Sequence, residues 1–256
     1  MGSVAGNLRI VSRPLSISDP EFRIEETLFL PPDEVHVWQI ELNALAEAEA
    51  RWRSVLSGDE KARADRFRFQ RDRQRFSSTR AMLRIILGAY VGTDPETLVF
   101  QYSEKGKPGL DSSGMEFNVS HSGNIGLLAF SRERQVGIDV EEIRQNLDPE
   151  KIARRFFSEH EQSQLAALCL PERFAGFFRC WTRKEAYIKA RGEGLSLPLD
   201  TFDVSIEPGE QNALLACRMP QENITSWRLQ DLSVPEGYVA ALCVQGRGWL
   251  LKSWLS

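Results

Sequence analysis

Two carboxylates set two residues apart, Asp139 and Glu141, stand in the run Val136-Gly137-Ile138-Asp139-Val140-Glu141. The β-branched content predicts a strand, and side chains at i and i+2 of a strand share a face. Two carboxylates on one face repel unless a cation lies between them, and a hard divalent ion such as Mg²⁺ is the usual partner. The same D-x-E pattern suits a solvated strand edge, and taken alone it does not choose.

A second pair, Glu185 and Lys189, lies in Trp181-Thr182-Arg183-Lys184-Glu185-Ala186-Tyr187-Ile188-Lys189. Helical spacing puts residues four apart on one face. One reading is a surface ion pair worth about 0.3–0.5 kcal/mol. The other makes Glu185 a third metal ligand or a general base, with Lys189 holding a phosphate oxygen or serving as a general acid.

Phe117-Asn118-Val119-Ser120-His121-Ser122-Gly123 predicts a strand running into a polar turn. Its hydroxyls, imidazole and free N–H groups suit a phosphate, and equally an ordinary hydrogen-bonded turn. A Ser–His hydrolase is disfavoured, since adjacent strand residues point apart and Ser120 cannot readily reach His121. Lys107 sits in a Gly106-Lys107-Pro108 turn, another place to meet a phosphate or simply to turn the chain. A basic stretch runs through Lys61, Arg63, Arg66, Arg68, Arg71, Arg73, Arg75 and Arg80. It reads as a nucleic-acid patch or a solvated helix face. The interleaved Asp59, Glu60, Asp65 and Asp72, and the lack of an aromatic platform, weigh against nucleic acid.

The elements that position these groups alternate. Strands are expected at 35–42, 98–102, 116–119 and 125–130, with an alanine-rich helix from Ala44, a helix capped by Ser57 with Glu60 three residues on, and a basic helix over 66–90. From Val136 a strand is followed by helices at 149–156, 159–169 and 172–191, then strands at 202–206, 213–217, 226–232 and 238–244. Helices mixed with mostly antiparallel-looking strands give an α+β class. The division expected is a loose extension over 1–30, an N-terminal α+β half over 31–135 and a C-terminal α+β half over 136–256.

At 256 residues the chain is comfortable for two packed halves, and 42% hydrophobic with 27% charged residues describes a packed globular protein. A net charge of −4 provides no general attraction to nucleic acid or anionic lipid, so phosphate binding must be local. No apolar run is long enough to span a membrane, and the start lacks the pattern of a signal peptide. Position 6, where a myristoylation signal wants Ser or Thr, is glycine. Cys169, Cys180, Cys217 and Cys243 make no C-x-x-C pair and read as reduced, mostly buried thiols of a cytoplasmic protein. Without a secretory signal, the sequons at Asn118 and Asn223 are chance matches.

In order, the chain carries G-K-P at 106–108, F-N-V-S-H-S-G at 117–123, G-I-D-V-E at 137–141 and R-F-F-S-E-H-E at 155–161. W-T-R-K-E-A-Y-I-K follows at 181–189 and G-E-G-L-S-L-P-L at 192–199. This series resembles the surfactin-type (Sfp-like) 4′-phosphopantetheinyl transferases over roughly residues 35–245.

The resemblance implies two similar, pseudo-twofold-related halves in one chain, with coenzyme A in the cleft between them. It implies Mg²⁺ on Asp139, Glu141 and Glu185, and transfer of phosphopantetheine to a serine of an apo acyl carrier protein, or of the carrier domains of polyketide or peptide synthases. Glu185 would be the base and Lys189 the group acting on the leaving phosphate. Ser120, His121 and Lys107 would contact coenzyme A phosphates, with Lys61, Arg63 and Arg75 near the 3′-phosphate. A monomer is expected, because both halves of the site lie in one chain. The rivals are a catalytically silent carrier or coenzyme A binding module, which would lose the carboxylates, and a basic-helix nucleic-acid binder.

Overall fold

The structure, a computed structural model, describes residues 27–45, 49–111 and 113–255. Most of the expected N-terminal extension lies outside the described residues. Its last part is held firmly: Leu30 is fully buried, and the Leu28 amide donates to the Ala89 carbonyl at 2.9 Å.

One arrangement occurs twice. The first copy runs β1 (Glu34–Glu41), α1 (Glu49–Ser54), α2 (Gly58–Ala64), α3 (Gln70–Val91), the ribbon β2 (Gln101–Tyr102) and β3 (Pro108–Gly109), then β4 (Met115–Ser122) and β5 (Ile125–Arg132). The second runs β6 (Val136–Glu142), α4 (Pro149–Phe156), α5 (Glu159–Ala167), α6 (Leu170–Arg191), the ribbon β7 (Phe202–Val204) and β8 (Leu214–Cys217), then β9 (Trp227–Asp231) and β10 (Tyr238–Gln245). The strand orders match, β1-β5-β4 and β6-β10-β9, all antiparallel. This is the expected α+β fold of two similar halves. A last strand, β11 (Leu250–Leu255), returns to pair parallel with β1 in the first sheet. Trp254 on it stacks on Trp38, with ring centroids 4.8 Å apart.

The halves also share buried electrostatics. In each, a capping-box glutamate at the third position of a short helix reaches back to the cap amide, Glu60 to Ser57 and Glu161 to Ser158. In each, that glutamate is buried against a cation of the following 22-residue helix. Glu60 takes Arg84 and Arg80, each through Nε at 2.6 Å, and Glu161 takes Lys184 at 2.7 Å. Both long helices stop at a left-handed glycine, Gly92 and Gly192, at φ 67° and 73°.

Each sheet has one face on its own long helix and the other on the partner sheet. Trp38, Ile40, Leu128 and Phe130 pack with α3 residues such as Met82 and Leu87, while Ala241 and Cys243 pack in the α6 core. Alternate residues of the same strands, among them Val37, Leu127, Ile138 and Leu242, make a third apolar cluster between the sheets. Strands buried on both faces need little polar alternation, hence the near-continuous apolar run of β5.

The helix expected over 66–90 begins at Gln70, because α2 ends before an exposed turn through Phe67 and Phe69. The strand expected over 98–102 reduces to the two residues of β2. All four cysteines are free thiols. Cys180 and Cys243 are buried, Cys217 is half-buried and Cys169 is exposed as the cap of α6. Among the described residues no helix is long and apolar enough to cross a membrane.

Candidate active site

The site forms where the edge strand of one sheet, β4, meets the edge strand of the other, β6, beneath the C-terminal half of α6. Side chains of β4 reach the backbone of β6 to join the two edges. Asn118 Oδ1 accepts from the Ile138 amide at 3.0 Å, Ser120 Oγ from the Val140 amide at 3.4 Å, and Ser122 Oγ from the Glu142 amide at 3.1 Å. Residues 118, 120 and 122 share a strand face, so alternation in one motif reads alternation in the other. Both serines also donate to a carboxylate, Ser120 to Asp139 Oδ1 and Ser122 to Glu141 Oε2, each at 2.7 Å.

α6 brings the remaining groups. It lies so close on β6 that a Cβ at Gly137 would stand 2.1 Å from the Ala186 carbonyl oxygen and 2.2 Å from the Ala190 nitrogen. The motif glycine is therefore required by packing, and it sets Glu185 and Lys189 over Asp139. Lys189 Nζ lies 2.7 Å from Asp139 Oδ1, 3.1 Å from Ser120 Oγ and 3.4 Å from the Ile138 carbonyl, so its three donors all go to protein acceptors. Asp139 is 4% exposed, and its Oδ2 is buried without a hydrogen-bond partner.

The carboxylates strain against one another. Burial, and then the charges of Asp139 and Glu141, push Glu185 up to about 7 from its ordinary 4.5, with Lys189 opposing. Burial likewise raises Glu141, with Asp139 adding to the rise and the Ser122 hydrogen bond opposing it. Among the described residues no three Asp, Glu, His or Cys side chains stand together at ligating separations. Asp139 Oδ1 is held by Ser120 and Lys189, and Glu141 Oε2 by Ser122 at 2.7 Å and Arg144 at 3.4 Å.

A cleft of about 310 Å³ opens beside this cluster, lined by Arg63, Arg80, Lys105, Lys107, His121 and Lys189 with the ring of Phe76. Five cationic side chains and an imidazole around one cleft make a site for a polyanion. Lys107 reaches across the molecule to the Val136 and Ala190 carbonyls at 3.4 and 3.5 Å and to Glu116 at 3.7 Å. Burial lowers its ammonium, opposed by Glu116. His121, at the open side of the cleft, is lowered by the protein mass around its ring and then by the cations of Lys189 and Arg75.

Four of the residues singled out in the sequence, Arg63, Lys107, His121 and Lys189, therefore share the cleft. Arg75 lies within electrostatic reach of His121, and its Nε is buried without a partner. Asp139, Glu141 and Glu185 lie within electrostatic reach of one another but not at ligating separations, and none of them lines the cleft. Ser120 faces the strand junction, its single proton directed to Asp139. Lys61 donates to the Ser54 carbonyl at 3.3 Å and is not among the cleft residues. Sequence reasoning missed the partners that hold α6: Lys184, completely buried, donates to Glu161 and to the Leu199 and Phe202 carbonyls, all at 2.7 Å. The Ser158-x-x-Glu161 capping pattern was the available signal.

Comparison with known proteins places the chain in a family. Residues 135–243 match the family described as 4′-phosphopantetheinyl transferase superfamily, and residues 44–133 match 4′-phosphopantetheinyl transferase, N-terminal. The chain is 40% identical over 231 residues to the 4′-phosphopantetheinyl transferase HetI of a Nostoc species, covering 89% of this chain and 94% of that protein. It is 32% identical to the 4′-phosphopantetheinyl transferase Sfp of Bacillus subtilis, over 77% of this chain and 85% of that one. It is 31% identical to the 4′-phosphopantetheinyl transferase psf-1 of Bacillus pumilus, over 82% and 89%. Taken with the duplicated α+β fold and the carboxylate–lysine cluster beside a basic cleft, these matches establish that the chain belongs to the 4′-phosphopantetheinyl transferase family.

Proposed function

We propose that this protein transfers the 4′-phosphopantetheine arm of coenzyme A to a serine of an apo acyl carrier protein or carrier domain. The products are a holo carrier and adenosine 3′,5′-bisphosphate. The observation that carries this reading is the meeting of Asp139 and Glu141 with Glu185 and Lys189 beside a cleft lined by Arg63, Lys107 and His121. A donor with a pyrophosphate and a separate 3′-phosphate needs such a row of cations, and the reacting phosphate needs clustered charges.

Asp139, Glu141 and Glu185 would hold Mg²⁺. The buried, unpartnered Asp139 Oδ2 and the raised Glu141 and Glu185 fit a hard cation, which would favour the ionised form of the two glutamates. Bound there, Mg²⁺ supplies charge neutralisation to the pyrophosphate. The carrier hydroxyl attacks the β-phosphorus, the new phosphodiester bond forms, and the bond to the bridging oxygen breaks. Glu185 takes the hydroxyl proton, directly or through one water. Lys189 turns from Asp139 to the leaving phosphate and neutralises or protonates it. Lys107 and His121 hold phosphate oxygens, and Arg63 and Arg75 read the 3′-phosphate.

The chain works as a monomer in the cytoplasm in this reading, since both halves of the cleft come from one chain. The test is incubation with coenzyme A, Mg²⁺ and a panel of apo carriers, followed by intact mass. A phosphopantetheine mass gain on a carrier supports the reading. A complete lack of gain on every carrier, by a folded protein that binds coenzyme A, favours the silent binding module.

A further inference from the structure

The junction between β4 and β6 holds one two-point contact twice. Ser120 donates to the carboxylate of residue 139 and accepts from the amide of residue 140. Ser122 donates to the carboxylate of residue 141 and accepts from the amide of residue 142. Each serine thus fixes a carboxylate relative to the backbone of its own strand. The repetition follows from strand geometry, since both strands advance two residues per repeat on one face. Ser120 is also bound by Lys189, so its role is bound up with that lysine. Ser122 touches no catalytic cation and is not among the cleft residues. Its proton has one acceptor, Glu141 Oε2, at 2.7 Å.

The turn just beyond is braced as well. The Asn124 amide donates to the Tyr238 hydroxyl at 2.9 Å, and Tyr238 pairs with Glu142 across β10 and β6. Ser122 therefore stands in a fixed frame, not on a loose loop. Without its hydroxyl, Glu141 would keep, among the described residues, the long 3.4 Å contact to the exposed Arg144.

We propose that Ser122 is a positioning residue for the cation site: its hydroxyl aims the Glu141 carboxylate and holds one of its oxygens, leaving the other turned to the ion. This rests on the reading of Asp139, Glu141 and Glu185 as the ligands. Such outer partners set the orientation of ligating carboxylates, and their loss costs about 10–100-fold in metal affinity.

The test uses the full chain and Mn²⁺ as probe, with binding followed by electron paramagnetic resonance in the absence of carrier. Ser122→Ala should weaken Mn²⁺ about tenfold, and Ser122→Thr, which keeps the hydroxyl, should recover most of that loss. Coenzyme A affinity without metal should change less than about twofold, because Ser122 does not line the cleft. The Mg²⁺ concentration for half-maximal transfer should rise in parallel with the Mn²⁺ dissociation constant. If Ser122→Ala does not fold, Ser122→Cys carries the same measurement, with a weaker donor of similar volume. Unchanged Mn²⁺ affinity in a folded Ser122→Ala overturns the proposal, and so does an equal loss of metal-free coenzyme A binding, which would mark a general disturbance. Asp139→Asn is the control: if it too leaves Mn²⁺ binding intact, the ligand assignment itself has failed.

Discussion

Lys189 Nζ and Asp139 Oδ1 lie 2.7 Å apart, and this contact joins the long helix of the second half to the strand at the junction of the halves. The lysine neutralises one oxygen of a carboxylate whose other oxygen is buried and unpartnered. In the proposed reaction a phosphate entering the cleft would compete with Asp139 for the ammonium, and a cation would compete with Lys189 for Asp139, so the same two groups would serve the resting site and the transfer step.

Lys189→Ala should therefore slow single-turnover transfer by about a hundredfold or more, the usual loss when an electrostatic catalytic group goes. Coenzyme A binding should fall less. Lys189→Arg should rescue only in part, since a planar guanidinium does not fit three converging acceptors set for a compact ammonium. Stopped-flow transfer alongside coenzyme A titration separates the two effects.

Glu185 links the site to stability. Its carboxyl is raised from 4.5 to about 7 in the folded, metal-free protein. Between those values the folded state holds a proton that the unfolded state has lost, so stability falls as pH rises through this window. Above about pH 7 the full cost remains. Glu185→Gln removes it and should stabilise the metal-free protein by about 1–3 kcal/mol at pH 8, and by little near pH 4.5. Urea melts in EDTA at both pH values check this. The same variant should lose transfer, the trade expected where like charges are gathered for function.

Lys184, next in sequence, should behave in the opposite way. It and Glu161 are both completely buried and paired at 2.7 Å. Lys184→Met leaves Glu161 as an unpaired buried charge and should cost about 3–5 kcal/mol of stability. A Lys184→Met and Glu161→Gln double variant, which removes the charge but keeps an acceptor for the Ser158 and Val204 amides, should recover part of that loss, and both would be read from denaturant midpoints.

The 3′-phosphate assignment divides the basic stretch. Arg63→Ala and Arg75→Ala should weaken coenzyme A by about 1.5–3 kcal/mol, and dephospho-coenzyme A by less. Lys61→Ala should change both by less than about twofold, since Lys61 is engaged with Ser54 and lies off the cleft. Equal losses for the two donors in Arg75→Ala would remove Arg75 from that phosphate.

How far these features could be read in advance depends on whether their cause is local. β6 and α6 were legible because Asp139/Glu141 and Glu185/Lys189 follow strand and helix spacing, and the Ser57 cap follows from its own four residues. The start of α3 was placed four residues early, since the basic periodicity runs on through an exposed Phe67–Phe69 turn. β11 was missed because its partner, β1, lies about 215 residues away in sequence. The roles of Ser120, Ser122 and Lys184 were illegible for the same physical reason. A serine in a strand looks alike whether it faces water, a phosphate or a carboxylate on another strand, and a lysine in W-T-R-K-E reads as solvated until Glu161 is folded against it.

The most direct measurement is single-turnover transfer from coenzyme A to an apo carrier by wild type, Asp139→Ala and Glu185→Gln, with folding of each confirmed by its thermal transition. The expected result is a phosphopantetheine mass gain with wild type that requires added Mg²⁺, and loss of about a hundredfold or more in both folded variants. Near-wild-type transfer by both variants at ordinary Mg²⁺ would contradict a carboxylate-held cation beside this cleft as the centre of the chemistry.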